Sequence, residues 1–406
     1  MKRLIKILLI GIMGVVGNLS AMSAECEWSE GDPAMCFYNG MEFWLSPEDC
    51  TLILYSGWPA EDDGIVIIPE SLPSAEDPDV RYKVVAIDED AFVAWPTGFY
   101  SPSCNVGSVE IPETIVRIGA RAFAYTFRMK EIRFPDSVTE IGDECVAYSS
   151  SLEYIKLPAG LKIIPKGFAE LCTTITECDI PESVEEIGEL AFCRCKSIEK
   201  VFIPAGVKTI GSGAFSGMDN LESIDLDPAN EAYCIRDGVL YDKDMKTLVG
   251  WPGAPTEVVI PEGVERIAGE ALNYNSSLTS LDLPISMSDL SAAVFFANNN
   301  LSNITVRSIT PPTCTERVLP SYWPMFAEEV YANAELWVPE ESVDEYKAHP
   351  VWGKFNRING ESVVEKVPAT EEEAVYYSLD GQKVDNPESG QILIRRIGGA
   401  AEKVRY

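Results

Sequence analysis

Proline recurs every 23 residues through the middle of the chain, at Pro112, Pro135, Pro158, Pro181 and Pro204, and again at Pro261 and Pro284. Asp227 and Arg307 hold the same station without the ring. The residue before it stays apolar, from Ile111, Phe134 and Leu157 through Ile180, Ile203 and Leu226 to Ile260, Leu283 and Val306. Units this short cannot each enclose a core; every copy must bury its apolar side against the next, which makes a solenoid. Such a stack has no built-in cleft, so function is sought on its repetitive surface.

One coil shows the local logic. In Leu152-Glu153-Tyr154-Ile155-Lys156-Leu157-Pro158, the alternation over Ile155-Lys156-Leu157 is that of a short strand with one buried face. Proline ends it, having no N–H for a neighbouring strand. A second cluster follows, as in Val184-Glu185-Glu186-Ile187-Gly188-Glu189-Leu190-Ala191-Phe192, and recurs one period later around Ile210-Gly211 and Ala214-Phe215. Glycine suits a tight bend after the isoleucine, and Ala-Phe opens a short helical or 3₁₀ turn that returns the chain. The expected fold class is α/β, with stacked short parallel strands, one to a coil, and compact 3₁₀ or helical returns. At about 4.8 Å per coil, the strands make a sheet roughly 40 Å long.

This register places the cysteines. Cys172 and Cys195 fall 14 residues after their proline station, where other coils carry Thr126, Ser149, Met218, Asn275 and Asn298. A column of Cys, Ser, Thr and Asn reads as a structural ladder of small polar groups bonding the backbone of the return. Cys178 aligns with Ile132 and Ile155, and Cys145 with Ala122, Ala191 and Ala214, as packing residues. Cys172 and Cys195 also stack closely enough for a disulfide, and a bridge or free thiols are equally open readings for Cys26, Cys36 and Cys50. No CxxC zinc pattern occurs and His349 is the sole histidine, so no metal, cofactor or catalytic triad is expected.

Residues 1–24 read as a secretory signal peptide. Lys2, Arg3 and Lys6 precede the apolar run 7–16, and Ala21, Ser23 and Ala24 offer a cleavage site; the run is too short to span a bilayer. No other apolar stretch is long enough, so the mature chain is expected to be secreted or at the cell surface. Residues 25–85, including Ile65-Val66-Ile67-Ile68-Pro69, read as a β cap over the first coil. The solenoid proper spans 86–310. Its step from Asp227 to Pro261 is long, and 238–249 reads as a hairpin projecting from the stack near 235–250. Residues 311–360 form a C-terminal cap containing His349, 361–373 an acidic linker, and 374–406 a tail of two or three short strands. The formal charge of −32 repels phosphate, so nucleic acid is not an expected partner. Solubility alone explains that charge; attraction of basic partners or calcium is the sharper alternative.

The pattern Leu-x-x-Ile-x-Ile-Pro-x-x-Val-x-x-Ile-Gly-x-x-Ala-Phe-x-x-Cys, matched closely from Ile180 to Cys195, resembles the BspA-like leucine-rich repeats of bacterial surface proteins. The resemblance covers about 86–310; Ile164-Pro165 replaces Ile-Gly in one coil and the coil around 290 is degenerate. It implies a leucine-rich-repeat solenoid, non-enzymatic and exported, in some members an adhesin. The tail, with Leu379-Asp380-Gly381-Gln382-Lys383-Val384 and Ile392-Leu393-Ile394-Arg395, is similar to the end of type IX secretion sorting domains. Gly390-Gln391-Ile392 departs from that pattern, which leaves a docking tag as the alternative.

On the strand face the outward column runs Glu110, Arg133, Lys156, Asp179, Phe202, Asp225, Val259, Asp282 and Thr305, with Tyr154 diagonal to it. Phe202 is the unusual member, and Arg133 with Lys156 beside aromatic rings is the strongest local candidate for ligand binding. The candidate set is Arg133, Tyr154, Lys156, Asp179, Phe202 and Asp225. The leading reading is an exported adhesion module for a host matrix or bacterial surface protein, or a glycan. A self-associating envelope component is the alternative, and the oligomeric state is open. An enzyme using Asp179 and Asp225, two coils and roughly 10 Å apart, is the least favoured.

Overall fold

The computed structural model describes residues 27–29, 34–46, 50–57, 64–93, 106–177, 179–315, 324–361, 375–377, 383–384, 392–397 and 400–405. The signal sequence read at 1–24, Cys26, Cys178 and all but the first residue of the acidic linker lie outside them.

Each central coil has three sides rather than two. The first is the strand before the proline station, as in Glu131–Arg133 parallel to Tyr154–Lys156 and Lys200–Ile203 parallel to Ser223–Leu226. The second is a two-residue strand ending in the isoleucine of Ile-Gly: Arg117–Ile118, Glu140–Ile141, Ile163–Ile164, Glu186–Ile187 and Thr209–Ile210. These stack in parallel as well, Ile164 against Ile187 and Ile187 against Ile210. So short a strand leaves no alternation to read from sequence, and it is a site where expectation fell one strand short.

The third side is the return. The C-terminal returns are helical, at Glu328–Asn333, Val343–Ala348 and the 3₁₀ turn Trp352–Lys354. In the central coils they are turns whose alternate N–H groups reach forward: Glu144 to Lys166 O, Val146 to Phe168 O and Tyr148 to Glu170 O. A helix would point those donors back along its own chain. The forward pattern requires left-handed backbone at two residues per coil, such as Glu144 (φ 57°) with Tyr148 (φ 62°) and Leu190 (φ 58°) with Arg194 (φ 63°). The Ile-Gly glycines serve something else. A Cβ on Gly188 would lie 2.5 Å from the backbone nitrogen of Lys166, and one on Gly142 2.3 Å from that of Ala120. Close approach of successive coils, not bend geometry, excludes a side chain there.

The interior is filled by rings one coil apart. Phe92 stacks on Phe123 at 5.1 Å, Phe134 bridges Phe123 to Phe168, and Phe168, Phe192 and Phe215 follow at 6.2 Å steps. The insertion does not project. Tyr233–Arg236, Val239–Asp242 and Thr247–Gly250 form an antiparallel meander whose last strand joins the second side, parallel to Arg266–Ile267. Leu240 is buried in the core preceding it, while Val239, Tyr241 and Leu248 are buried in the core that follows. A strand apolar on both faces divides two cores, which is why it cannot be a surface hairpin.

Both ends of the stack extend past 86–310. Ile65–Ile67 pairs in parallel with Ser108–Glu110, so the first coil starts inside the region read as a cap. Before it, Met35–Tyr38, Met41–Ser46 and Thr51–Gly57 form an antiparallel sheet that joins the second side through Arg81–Ile87. At the other end, Glu335–Pro339 and Ile358–Glu361 add two parallel rungs. Trp352 and Tyr346 close the core, their polar tips donating to Pro312 O (3.0 Å) and Ser308 O (2.8 Å). The tail strands Val375–Tyr377, Lys383–Val384, Ile392–Ile397 and Ala400–Arg405 make a separate antiparallel sheet of four.

Candidate functional site

The buried polar column does structural chemistry. Cys172 Sγ donates to Val146 O at 3.0 Å and Cys195 Sγ to Ala169 O at 3.2 Å. Ser149 Oγ donates to Phe123 O at 3.1 Å, and Asn298 Nδ2 to Leu272 O at 2.9 Å. Each acceptor lies 26 residues back, in the preceding coil. Thr126 N–H donates to Ser149 Oγ, and Asn275 N–H to Asn298 Oδ1. Cys172 is a free thiol, so the Cys172–Cys195 disulfide is not formed. Burial pushes the Cys172 thiol up to about 12 and Cys145 higher still, which makes neither a nucleophile.

The strand face brings the six candidate residues onto neighbouring coils. Arg133 and Lys156 share a register position, as do Phe202 and Asp225. Phe202 is 45 % exposed, although the strand neighbours Val201 and Ile203 are buried. Asp179 stands one period before Phe202 and is exposed; its coil is not a strand at the described positions 177 and 179–180. Asp179 lines a crevice of about 10 Å³, the space of one water, together with Ile155, Leu157, Phe168, Ile175, Phe192 and Glu177. No recess was legible in the sequence, because its lining residues come from successive coils and share no motif. Asp179 and Asp225 do not face each other across a space for water; the Phe202 station lies between them.

The basic pair is already engaged. Arg133 Nη2 lies 3.0 Å from Glu131 Oε2, and its guanidinium stacks 4.8 Å from the Tyr154 ring centre. Lys156 Nζ lies 3.8 Å from Asp136 Oδ1. Among the described residues, Glu177, Asp179 and Asp225 form no ion pair, and of the nearby cations only Lys200 likewise stands without one.

Sequence reasoning missed the aromatics of the return. Tyr125 and Tyr148 stack at 4.7 Å with planes 6° apart, and Phe127 meets Tyr125 edge-on at 6.2 Å. Further along, Arg194 lies over the Tyr274 ring at 4.8 Å, closing above Gly217. The signal was a Tyr, Tyr, Leu, Arg, Gly, Tyr sequence at one station of successive coils, visible only once the return is known to expose it. Among the described residues no group of three or more metal-ligating side chains assembles, and no helix is long and apolar enough to cross a membrane.

The 23-residue coil with its Ile-Pro and Ile-Gly stations is matched by the model of the BspA type leucine rich repeat region, in six copies over residues 96–237 and 254–314. The chain belongs to this family. Its fold is similar to that of a leucine rich cell surface protein from Faecalibacterium prausnitzii, at 20% identity and a TM-score of 0.54, covering 82% of this chain and 97% of that one. The pneumococcal vaccine antigen PcpA matches at 17% identity and a TM-score of 0.48 over 84% of this chain and all of its own. A leucine-rich repeat protein from Eubacterium ventriosum matches at 19% and 0.44 over 74% and 76%. These likenesses concern fold alone. No curated protein matches the chain.

Proposed function

We propose that this BspA-type solenoid is an exported binding module, displayed at the cell surface or secreted, whose strand face engages a surface or matrix protein. The observation that carries the reading is Phe202, a large apolar ring exposed in a column of otherwise mostly polar residues, one period after the crevice-lining Asp179. Exposed rings of this kind are where interfaces concentrate their energy. The family, and the cell-surface description of its Faecalibacterium relative, support the location. The strand face offers about 400 Å² at the expected sheet dimensions, half of what a partner of standard size covers, so neighbouring loops must contribute. The test is binding of the purified chain to arrayed matrix proteins and glycans. A saturable protein hit weakened by Phe202→Ala supports the reading; hits on glycans alone, hits that ignore Phe202→Ala, or a blank array reject it.

A further inference from the structure

The strand face has an unequal set of unspent charges. Its cations Arg133 and Lys156 are held by Glu131 and Asp136. Its carboxylates Asp179 and Asp225 have no such partner among the described residues, and they occupy the Phe202 station one coil before and one coil after. Phe202 and Asp225 are paired across adjacent strands, about 4.8 Å apart, and Asp179 stands one period before them, so the exposed ring has a carboxylate on the coil to each side. Glu177, which lines the crevice together with Asp179, adds a third. Lys200 stands two residues before Phe202 and offsets one of the three.

We propose that this patch takes a lysine or arginine side chain of a basic segment on a protein partner. The methylenes lie across Phe202 and the apolar mouth of the crevice, and the charged head sits between Asp179 and Asp225. The inference rests on the strand-face reading above and names its partner class. Three physical terms agree. An aromatic face attracts a cation, and the chain shows this on the same surface, where Arg133 covers Tyr154 at 4.8 Å. Carboxylates accept charge-assisted hydrogen bonds from ammonium or guanidinium groups. Long basic side chains pair an apolar stem with a charged head, matching an apolar floor with an acidic rim. An anionic ligand would have to displace Glu131 and Asp136 from their cations and then face three carboxylates.

The experiment titrates a labelled, end-blocked peptide of alternating lysine and glycine, and its glutamate counterpart, against the full chain at low and high salt. Acidic proteins attract basic peptides unspecifically, so the comparison is between two doubly neutralised variants. Asp179→Asn with Asp225→Asn alters the patch; Glu328→Gln with Glu329→Gln removes the same charge from an exposed helix elsewhere. The expected result is lysine-peptide binding weakened about tenfold by the patch variant and by Phe202→Ala, with the helix variant near the parent. Equal weakening by both double variants would reduce the binding to bulk charge and overturn the proposal. Preference for the glutamate peptide, or no binding of either, would overturn it too. If array hits respond to Phe202→Ala but not to the aspartate changes, the strand face binds while the cation assignment fails; hits that respond to neither change would reject both.

Discussion

Cys172 is 0 % exposed and hands its thiol hydrogen to the carbonyl of Val146 inside the return. Replacing it with serine preserves a donor of similar size, so Cys172→Ser should stay within about 1 kcal/mol of the parent. Cys172→Val removes the donor and leaves a buried carbonyl unsatisfied, at about 1–3 kcal/mol. Urea unfolding checks both; equal stability of the two variants would show that the thiol acts by volume alone. His349 gives a pH test. Its Nδ1 accepts from the N–H of Val351 (3.2 Å) and of Trp352 (3.3 Å), and burial lowers its pKa below the ordinary 6.5. The unfolded chain therefore binds the proton more readily. Its contribution is complete above pH about 6.5 and is lost as pH falls through the lower folded value. Since it is the sole histidine, the loss of stability on going from pH 7 to just above the carboxylate range should shrink in His349→Asn, measured by denaturant midpoints at each pH.

At the scale of elements, the strand with its proline stop was legible because alternation and a missing N–H act within a few residues. The repeat made the Cys-Ser-Thr-Asn column readable as well, since position in the period fixes which side chains stack. Three features were not. The second strand is two residues long and carries no alternation. The meander at 233–250 looks like any polar-tipped hairpin until its two faces meet two cores. The engagement of Arg133 by Glu131 depends on rotamers that no spacing specifies. The glycine after the isoleucine was assigned correctly in kind but for a different cause, and the difference is measurable. A bend residue in ordinary φ would tolerate alanine, whereas Gly188→Ala drives a methyl into the backbone of Lys166, 2.5 Å away. We expect a loss of about 1–3 kcal/mol, as for overpacked cores. Gly160, which has nothing within 4 Å of its Cβ position, is the control and should accept alanine with little change.

The whole molecule carries 64 acidic and 32 basic side chains, so even complete pairing would leave half of the acids unmatched. The repeat does align some opposite charges one coil apart. Lys162 and Lys208 both reach Glu185, at 3.1 and 2.6 Å, and Lys166 meets Glu189 at 3.0 Å. These pairs are exposed or half-exposed, and each is worth about 1 kcal/mol or less. Against them stands repulsion among the excess carboxylates, which acts over distances comparable with the Debye length of about 10 Å near 0.1 M salt. Salt weakens both terms. Because the pairs are few and individually small while the repulsion is spread over the full length of the stack, the repulsive term wins. Thermal melts of the purified chain should therefore shift to higher temperature as sodium chloride is raised from low to moderate concentration. A downward shift would mean that the ladders of aligned charge hold the coils together more strongly than their exposure allows.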